Sequence, residues 1–484
     1  MLPQVIQHGA GAPSAALRKH SHYLVILPAG KELPRAAPGG DVLASLLARR
    51  RMKAGELAKS SVSGNLKNGA LASWVMFDVA KSPYEQSVTV RGALQPLLAE
   101  NPSEVAILIV GDEAQQRGAA RAAAYCAFVS GPVLPERKRK SARKPLKTVH
   151  LYGQVEAAAL AALRARAEGN LLCRELTALP PNELTPGAYR ERIKQLAKEH
   201  GWLREEFDYK RLKKMGAGAF CAVAQGSDVR DAAIVHLTYT HSEAARTVAL
   251  VGKGICFDTG GHNLKPARHM YSMHEDMNGS AVVLGIMLAA TRLKLRINIE
   301  GWLAISRNDI SPRAYHQNEV VRALNGTTIE VMHTDAEGRM VLADTLTLAA
   351  RAKPELIVDF ATLTGSMHTA LGDHYSGVFA TTDELAAEAI AAGRAAGERV
   401  CVFPQDDDYD SALESKVADV KQCSLDNEPD HILATRFLKR FVGDIPWLHM
   451  DLSAASAKGG LGAVASDTTG FGVGWALDLL AARR

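Results

Sequence analysis

The sequence predicts an α/β protein of two domains, in which a small N-terminal α/β domain precedes a larger C-terminal α/β domain with a central mixed sheet. The chain has 484 residues, and chains of this length usually divide into more than one domain. Short apolar runs rich in Val and Ile alternate with Ala-rich helical segments along the chain, which is typical of α/β domains. A long Ala/Leu/Arg segment with helical periodicity separates the two predicted domains.

The predicted elements follow this alternation in order. Residues 1–153 form the N-terminal domain, whose predicted strands lie in HYLVILPAG, SWVMFDVA, VAILIVG and TVHLYG. Residues 154–176 form a connecting helix that ends before the prolines of LPPNELTP, where Thr185 and Pro186 can begin the next helix. Residues 177–484 form the larger domain, with a helix in GSAVVLGIMLAATRLKL and strands in TVALVGKGICF, INIEGWLAIS, ELIVDFATLTG and VFA.

Composition excludes several classes of protein. Apolar residues make up 47% of the chain and charged residues 23%, as in ordinary globular proteins. The six cysteines are scattered without a CxxC pair, which argues against a structural zinc knuckle or a disulfide framework and fits a reducing compartment. The N-terminus lacks the basic start and apolar run of a signal peptide, and no window approaches the roughly 18 apolar residues of a membrane span. We therefore expect a cytoplasmic protein that does not contact membranes.

One basic loop accounts for the net charge of +5. The segment PERKRKSARKPLK, residues 135–147, contains seven Lys or Arg and one Glu, so the rest of the chain sums to −1. Such a run can bind nucleic acid or another anionic surface. A solvated loop is the commoner explanation and the one that we favour.

The segment HTDAEGRM, residues 333–340, concentrates charge between a strand-like run, TTIEVM, and a helical run, MVLADTLTLAARA. Two interpretations are open. In the first, Asp335 caps the helix and Arg339 pairs with Glu337 at the surface. In the second, Asp335 and Glu337, which point the same way if the segment is extended, face charged partners from elsewhere in the chain.

Suitable partners occur in GKGICFDTGGHNLKPARHMYSMHEDMNG, residues 252–279. Lys253 is placed at the end of a buried strand, Asp258 on the Gly-rich turn after it, Lys265 further along, and Asp276 just before a helix. With Asp335 and Glu337 this makes four carboxylates, which would repel one another in one pocket unless cations hold them ionised. Divalent metal ions suit such an oxygen-rich site, and a pair of them is common in hydrolases.

These residues resemble the leucine aminopeptidase (cytosol aminopeptidase) family of metallopeptidases. The resemblance rests on the run TDAEGR, on GKGICFDTGGHNLKP and on EDM. It continues in the family order through LPPNELTP, MGAGAFCAVAQGS, ATLTG, WLHMDL and TGFGVG. It implies a catalytic C-terminal domain with two divalent ions, Mn or Zn, that activate a water to hydrolyse N-terminal residues from peptides. It also implies a homohexamer.

The resemblance assigns roles to individual residues. It implies five metal ligands: Lys253, Asp258, Asp276, Asp335 and Glu337. Asp258 and Glu337 resemble the bridging carboxylates, and Asp335 resembles the ligand of the more exchangeable metal. Lys265 resembles the lysine that polarises the scissile carbonyl, and Arg339 the arginine that holds a bicarbonate ion as proton shuttle. Three positions match the pocket for the first substrate side chain: Met273, Thr362 and Leu363.

The sequence also departs from the family pattern. His333, His274-Glu275 and Thr259 replace the usual residues beside ligand positions, and residues 424–441 differ at the expected Gly/Ala-rich helix start, which bears on substrate specificity. Two alternatives stay open. The first is a nucleic-acid-binding protein with an aminopeptidase body that acts through residues 135–147. The second is a dimetal hydrolase of another amide.

Overall fold

The computed structural model describes residues 1–9, 16–426 and 429–483. The described chain forms two compact units. The N-terminal unit comprises Met1–Leu171, Arg394–Glu398 and Ala457–Thr469, and the C-terminal unit comprises Leu172–Gly393, Arg399–Ser456 and Gly470–Arg484. Both units are α/β, as predicted, whereas the domain boundaries at residues 153 and 176 stay a prediction.

The N-terminal unit contains a six-stranded sheet in the order β1-β6-β5-β2-β4-β3. Its strands are β1 Gln4–His8, β2 His22–Pro28, β3 Val62–Asn65, β4 Leu71–Phe77, β5 Glu104–Ile109 and β6 Thr148–Tyr152. All pairings are parallel except that of the edge strand β3 with β4. The helices that begin in this unit are α1 Gly40–Arg50, α2 Pro83–Leu98, α3 Glu113–Ser130 and α4 Ala157–Thr177, with a 3-10 helix at Ala54–Ala58.

The C-terminal unit contains an eight-stranded sheet in the order β15-β14-β17-β13-β9-β10-β8-β7 and a three-stranded sheet in the order β11-β12-β16. The strands are β7 Leu203–Asp208, β8 Ala233–Tyr239, β9 Thr247–Asp258, β10 Asn298–Asn308, β11 Val320–Arg322, β12 Thr328–Glu330, β13 Leu356–Ala361, β14 Ser376–Ala380, β15 Val400–Val402, β16 Val420–Lys421 and β17 Trp447–Asp451. The eight-stranded sheet mixes parallel and antiparallel pairs, which confirms the predicted mixed sheet.

Ten helices complete the described part of this unit. They are α5 Pro186–His200, α6 Tyr209–Met215, α7 Gly218–Ala224, α8 Ala267–Met270, α9 Asn278–Leu293, α10 Glu337–Arg351, α11 Gly365–Leu371, α12 Asp383–Ala396, α13 Asp430–Lys439 and α14 Val473–Ala482. Two 3-10 helices lie at Met273–Met277 and Asp407–Leu413.

Most predicted elements are present, and β9 extends one residue beyond the predicted strand TVALVGKGICF. Thr185 caps α5 by accepting a hydrogen bond from the Ala188 amide at 3.2 Å, and Pro186 is the first helical residue, as predicted. Lys253, however, lies inside β9 rather than at its end, because parallel pairing with β10 continues past it to Asp258, although pairing with β13 ends at Gly252. Lys253 is therefore buried in the middle of the sheet, and Asp258 lies at the C-terminal end of the strand.

The charged loop and the cysteines have the expected surroundings. Arg137, Lys138, Arg139 and Lys140 are exposed in a loop between α3 and β6. The six cysteines are thiols rather than halves of disulfides. Within the described residues, the helices are either too short or too polar to cross a bilayer.

The first turn of α9 packs directly against the backbone of β9 and β13. A Cβ atom at Gly279 would lie 2.0 Å from the Phe360 carbonyl oxygen and 3.0 Å from the Lys253 nitrogen. A Cβ atom at Gly252 would lie 2.5 Å from the Ser280 Cα. Glycine at both positions therefore permits the close approach that holds α9, and the 3-10 helix before it, beside Lys253.

We predict that Gly279→Ala destabilises the protein, whereas Gly92→Ala does not. The added methyl group at Gly279 collides with rigid backbone, and overpacking of this kind costs about 1–3 kcal/mol. Gly92 lies inside α2 with open space around its Cα, so alanine there gains up to about 1 kcal/mol from its helix propensity. Denaturant unfolding of the two variants measures the difference, and equal stabilities would contradict the packing argument.

Candidate metal centre

Four acidic side chains converge at one edge of the eight-stranded sheet. Asp258 ends β9, Asp276 lies in the 3-10 helix before α9, Asp335 lies in the turn before α10, and Glu337 is the first residue of α10. Carboxylate oxygens of Asp258, Asp335 and Glu337 all lie within 4.8 Å of one another. The chain thus brings together carboxylates that are far apart in sequence, as expected.

Two lysines neutralise part of this charge. The Lys253 Nζ lies 2.8 Å from Asp276 Oδ1 and 2.9 Å from Glu337 Oε1, and it donates to the Thr362 carbonyl oxygen at 3.0 Å. The Lys265 Nζ lies 2.9 Å from Asp258 Oδ2 and 2.5 Å from Asp335 Oδ1. Each lysine therefore bridges two carboxylates.

Neutral donors fix the orientation of the carboxylates. The Asn308 side-chain amide, at the end of β10, donates to Asp258 Oδ1 at 2.8 Å and to the Thr334 carbonyl oxygen at 3.0 Å. The Gly260 amide donates to the same Asp258 oxygen at 2.9 Å. The Thr362 hydroxyl donates to Asp276 Oδ1 at 2.7 Å. These bonds hold the acidic side chains in place, so little reorganisation is needed to bind a cation.

Burial disfavours ionisation of the carboxylates in this cluster. Burial raises the pKa of Asp276 to about 8, although the Lys253 ammonium opposes this shift. Burial raises the pKa of Asp335 to about 7, and the charges of Glu337 and Asp258 add to it. Burial lowers the pKa of Lys253, but Asp276 and Glu337 outweigh this effect, so the pKa lies above its ordinary value. The cluster therefore holds more negative charge than its own lysines can stabilise.

The residues present fit a cluster of divalent cations. Four carboxylates face only two ammonium groups, which leaves an excess of two negative charges when all are ionised. Asp276 Oδ2 is buried and has no hydrogen-bond partner among the described residues. Buried polar atoms are normally paired, so an orphaned carboxylate oxygen beside an acidic cluster indicates a missing cation.

Glycine is required between the two charged residues that open α10. A Cβ atom at Gly338 would lie 2.7 Å from Lys253 Cε and 2.9 Å from Leu363 Cδ1. A larger residue would therefore displace the end of the Lys253 side chain or the Leu363 side chain, and with it the contact between Lys253 and Glu337. The small residue in TDAEGR therefore follows from packing at the centre itself.

Comparison with known proteins identifies the family. The family model described as "Cytosol aminopeptidase family, catalytic domain" matches residues 171–476, well over half of the chain. The chain belongs to the cytosol aminopeptidase family. It is accordingly a metal-dependent aminopeptidase, as the sequence predicted.

Similar proteins support this assignment along nearly the whole chain. The aminopeptidase is 38% identical over 476 residues to a probable cytosol aminopeptidase of Acidovorax ebreus (strain TPSY), covering 95% of this chain and 92% of the relative. It is 40% identical over 342 residues to one of Gluconobacter oxydans (strain 621H), covering 69% of each chain. The solved structure of the bottromycin maturation enzyme BotP in complex with Mn matches with a TM-score of 0.82 and 30% identity, covering 96% of this chain and all of BotP.

The structure favours the second interpretation of HTDAEGRM and corrects its geometry. The segment is not extended, since Asp335 lies in a turn and Glu337 is helical, yet both carboxylates reach the cluster. Asp335 does not cap α10, because the N-cap is Ala336 without a side-chain hydrogen bond. Arg339 is only 2% exposed and pairs with Asp430 rather than with Glu337 at the surface.

The predicted substrate positions lie beside the cluster. Thr362 and Leu363 follow β13, where Thr362 contacts both Lys253 and Asp276 and Leu363 lies against Gly338. Met273 begins the 3-10 helix that carries Asp276 and is half-buried. A cavity of about 350 Å³ opens beside Lys265 and Asp335, with space for a ligand. Its lining is Asn263, Leu264, Lys265, Pro266, His269, His333 and Asp335.

Sequence reasoning missed two residues of the site. Asn308 ends a strand that was predicted, and a polar residue at a strand end beside Asp258 was the signal that could have indicated it. Asp430 lies in the segment 424–441 that departs from the family pattern, of which residues 427 and 428 fall outside the described residues.

His274 and His333 are half-buried, and burial lowers the pKa of each, as for ordinary uncharged loop histidines.

We predict that the metal-free aminopeptidase loses stability as the pH rises from the ordinary aspartate pKa of 3.8 towards 8, and that Mn²⁺ removes this loss. The folded state retains protons on Asp276 and Asp335 that the unfolded chain releases, so higher pH favours unfolding. The two lysines contribute constantly in this range, since the pKa of each lies above 10.5.

Thermal unfolding across this pH range, with and without Mn²⁺ after chelation, measures the effect. Metal binding displaces protons, so the stabilisation by Mn²⁺ should increase with pH. A stabilisation by Mn²⁺ that is independent of pH would contradict the assignment.

Proposed function

We propose that the aminopeptidase binds two divalent metal ions between Lys253, Asp258, Asp276, Asp335 and Glu337, and removes N-terminal residues from peptides. The convergence of Asp258, Asp335 and Glu337 within 4.8 Å carries this proposal. The orphaned oxygen of Asp276 supports a position for a cation on the other side of Glu337. When bound, such ions supply a nucleophilic water at neutral pH and polarise the scissile carbonyl.

The two sides of the cluster differ in exposure, which supports different roles. Lys253, Asp276 and Glu337 are almost completely buried, and we assign Lys253 and Asp276 to the tighter site. Asp335 is 26% exposed beside the cavity, so we assign it to the more exchangeable site. Asp258 and Glu337 lie between the two sides and would contribute ligands to both. Lys253 would bind as a neutral amine, so metal binding must release its proton.

Lys265 is the residue that stabilises charge on the substrate. Its ammonium group lines the cavity and already bridges Asp258 and Asp335. An oxygen that gains negative charge at the scissile carbonyl would meet this ammonium in a partly buried site, where a fixed cation is effective. We assign Met273, Thr362 and Leu363 to the pocket for the first substrate side chain. Met273 shares the 3-10 helix of Asp276, Thr362 donates to Asp276, and Leu363 lies close to Gly338.

Mn²⁺ or Zn²⁺ is the metal that we propose. The donor set contains four carboxylates and one amine, which suits both ions and excludes the soft thiolate sites of other metals. BotP, which shares the fold at 30% identity, is described with Mn.

The alternative of a hydrolase for another amide makes a different prediction about substrates. An aminopeptidase should cleave aminoacyl amides only when the α-amine is free, whereas a general amidase should also accept N-acetylated analogues.

The expected bicarbonate ion on Arg339 stays a prediction, and the contacts of this residue do not favour it. The Arg339 guanidinium already donates to both carboxylate oxygens of Asp430 at 2.8 Å and to the Gln422 carbonyl oxygen at 3.1 Å. A bicarbonate ion would have to displace the Asp430 carboxylate. We therefore assign no step to bicarbonate.

We further propose a cytoplasmic homohexamer. The relatives are named cytosol aminopeptidases, and the family resemblance implies six subunits. Light scattering at micromolar concentration tests the assembly, and a monomer alone would contradict it.

We predict that Glu337→Gln abolishes metal binding at one position and most of the activity, whereas Glu330→Gln has little effect on either. Glu337 contacts Lys253 inside the cluster, and the amide of glutamine is a poor ligand for a bridging position. Glu330 is a half-buried carboxylate in β12 that accepts a hydrogen bond from Ser415, and it provides a matched control.

Metal content and turnover of leucine amide, after chelation and reloading with Mn, Zn, Co or Mg, measure both effects. A Glu337→Gln variant with the full metal content and near-normal turnover would show that the metal assignment is wrong. Full activity of the wild-type protein after complete metal removal would exclude the proposed function altogether.

We predict that alanine at Arg137, Lys138, Arg139 and Lys140 leaves the turnover of a small substrate nearly unchanged. All four side chains are exposed, and the loop contains none of the cluster residues. If the loop binds nucleic acid, the same variant loses that binding, and the wild-type affinity falls steeply with salt. Peptidase assays and a DNA titration at two salt concentrations separate these roles, and a large drop in turnover would show that the loop acts in catalysis.

A further inference from the structure

The pair formed by Arg339 and Asp430 differs from the other ion pairs near the metal centre. Arg339 lies in the first turn of α10, two positions after Glu337, and its side chain is 2% exposed. Its Nη2 donates to Asp430 Oδ1 and Oδ2, each at 2.8 Å, and its Nη1 donates to the Gln422 carbonyl oxygen at 3.1 Å. The guanidinium that was expected to hold a small anion thus already holds a carboxylate of the chain.

Local structure explains why a carboxylate is stable at this place. Asp430 is the first residue of α13, where the unpaired amide groups and the helix dipole favour negative charge. A buried guanidinium without an anion would be strongly destabilising, since an unpaired buried charge costs several kcal/mol. The N-termini of α10 and α13 and the Arg339 guanidinium therefore favour an anion at this place. The Asp430 side chain, which is part of the chain itself, is that anion.

We propose that Asp430 is the built-in anion of Arg339 and that this aminopeptidase works without bicarbonate. The inference rests on the proposed dimetal function. It concerns the pair of Arg339 and Asp430 rather than the proposed metal ligands. A free anion must compete with a carboxylate that is tethered beside the guanidinium and forms two charge-assisted hydrogen bonds. Asp430 is thus a positioning residue, which sets the orientation of Arg339 and occupies the place that a bound anion would take.

The test compares turnover in carbon-dioxide-free buffer with turnover after addition of bicarbonate. The wild-type enzyme should show the same turnover in both. Asp430→Ala leaves Arg339 without the carboxylate that orients it, so its turnover should fall by up to about 10²-fold without bicarbonate, as for loss of a supporting residue, and recover when bicarbonate or formate is added. Asp430→Asn keeps the volume of the side chain without its charge, so it should lose turnover and show no recovery.

A matched control lies on the same helix. Arg436 of α13 donates from Nε and Nη2 to the two carboxylate oxygens of Asp410, each at 2.8 Å, and Asp410 is 33% exposed while Asp430 is 30% exposed. Asp410→Ala should lose stability without any response to bicarbonate.

Three results would overturn the inference. They are stimulation of the wild-type enzyme by bicarbonate, an Asp430→Ala variant that behaves like Asp410→Ala, and recovery of Asp430→Asn. A wild-type protein without any peptidase activity would instead contradict the proposed function. If Asp430→Ala does not fold, the wild-type response and the Asn variant still decide.

A second inference concerns a histidine cluster in the N-terminal unit. His20 Nδ1 lies 3.2 Å from Glu104 Oε1, and His150 Nε2 lies 3.4 Å from Glu104 Oε2. One potential ligand atom from each of the three residues lies within 4.8 Å of those of the other two. Ligand atoms bound to one tetrahedral zinc ion at about 2.0–2.1 Å are separated by similar distances. Each imidazole thus lies at about that distance from the Glu104 carboxylate, so small side-chain movements would bring the three residues onto one ion.

The remaining ring nitrogens of the two histidines are also bonded. His20 Nε2 lies 3.1 Å from the Tyr152 hydroxyl, and His150 Nδ1 lies 3.1 Å from His8 Nε2. Histidines that bind metals usually donate the other ring N–H to a partner, which fixes the tautomer. We infer that His20, Glu104 and His150 form a site for a borderline divalent cation such as Zn²⁺, with His8 and Tyr152 orienting the imidazoles.

Zinc stoichiometry of the full chain tests this site. His20→Asn and His150→Gln retain a polar atom near each ligating nitrogen, so the double variant should fold and bind one zinc ion fewer than the wild-type protein. Its peptidase activity should not change, which separates this site from the catalytic centre. His22→Asn, which loses a neighbouring pair with Glu100, is the control and should keep the wild-type stoichiometry. Equal stoichiometry in the double variant and the wild type would show that the cluster is a hydrogen-bond network only.

Discussion

An excess of buried negative charge is the constraint on which the C-terminal unit depends. Four carboxylates lie at the edge of the sheet, where, among the described residues, Lys253 and Lys265 form ion pairs with them. Carboxylates in such surroundings ionise only beside cations, so the fold positions both lysines and leaves the remaining charge for bound ions. The long strand β9, the close contact of α9 with it, and the turn before α10 all serve to bring these groups within a few ångströms. The fold of the chain itself therefore accounts for the metal dependence.

Asp430 shows how one acidic residue can change the surroundings of an otherwise familiar site. It satisfies a buried arginine that lies on the opposite side of the α10 N-terminus from the carboxylate cluster. The charge of Arg339 is thereby balanced within the protein by a carboxylate outside the acidic cluster. A chain with a small residue at this position would need an external anion to reach the same balance.

The sequence was sufficient to predict the α/β class, the mixed sheet and the members of the acidic cluster, because each depends on local patterns. Val and Ile runs indicate strands, and TDAEGR is specific enough to indicate a family. The placement of Lys253 at the end of β9 was wrong, since pairing with β10 continues past it to Asp258. Asn308 and Asp430 were also missed, because their importance arises from contacts with residues distant in sequence, namely Asp258 and Arg339. Local propensity contains no information about such contacts.

The arrangement of Glu337, Gly338 and Arg339 in one helical turn has a consequence for length variation. Successive residues of a helix are rotated by about 100°, so positions two apart point in nearly opposite directions. Glu337 thus faces Lys253, while Arg339 faces Asp430. Inserting or deleting one residue between the turn and the helix would rotate both side chains away from their partners and place a larger residue against Lys253. Insertions and deletions should therefore accumulate in loops such as residues 135–147 during evolution, whereas the spacing from Asp335 to Arg339 should stay fixed.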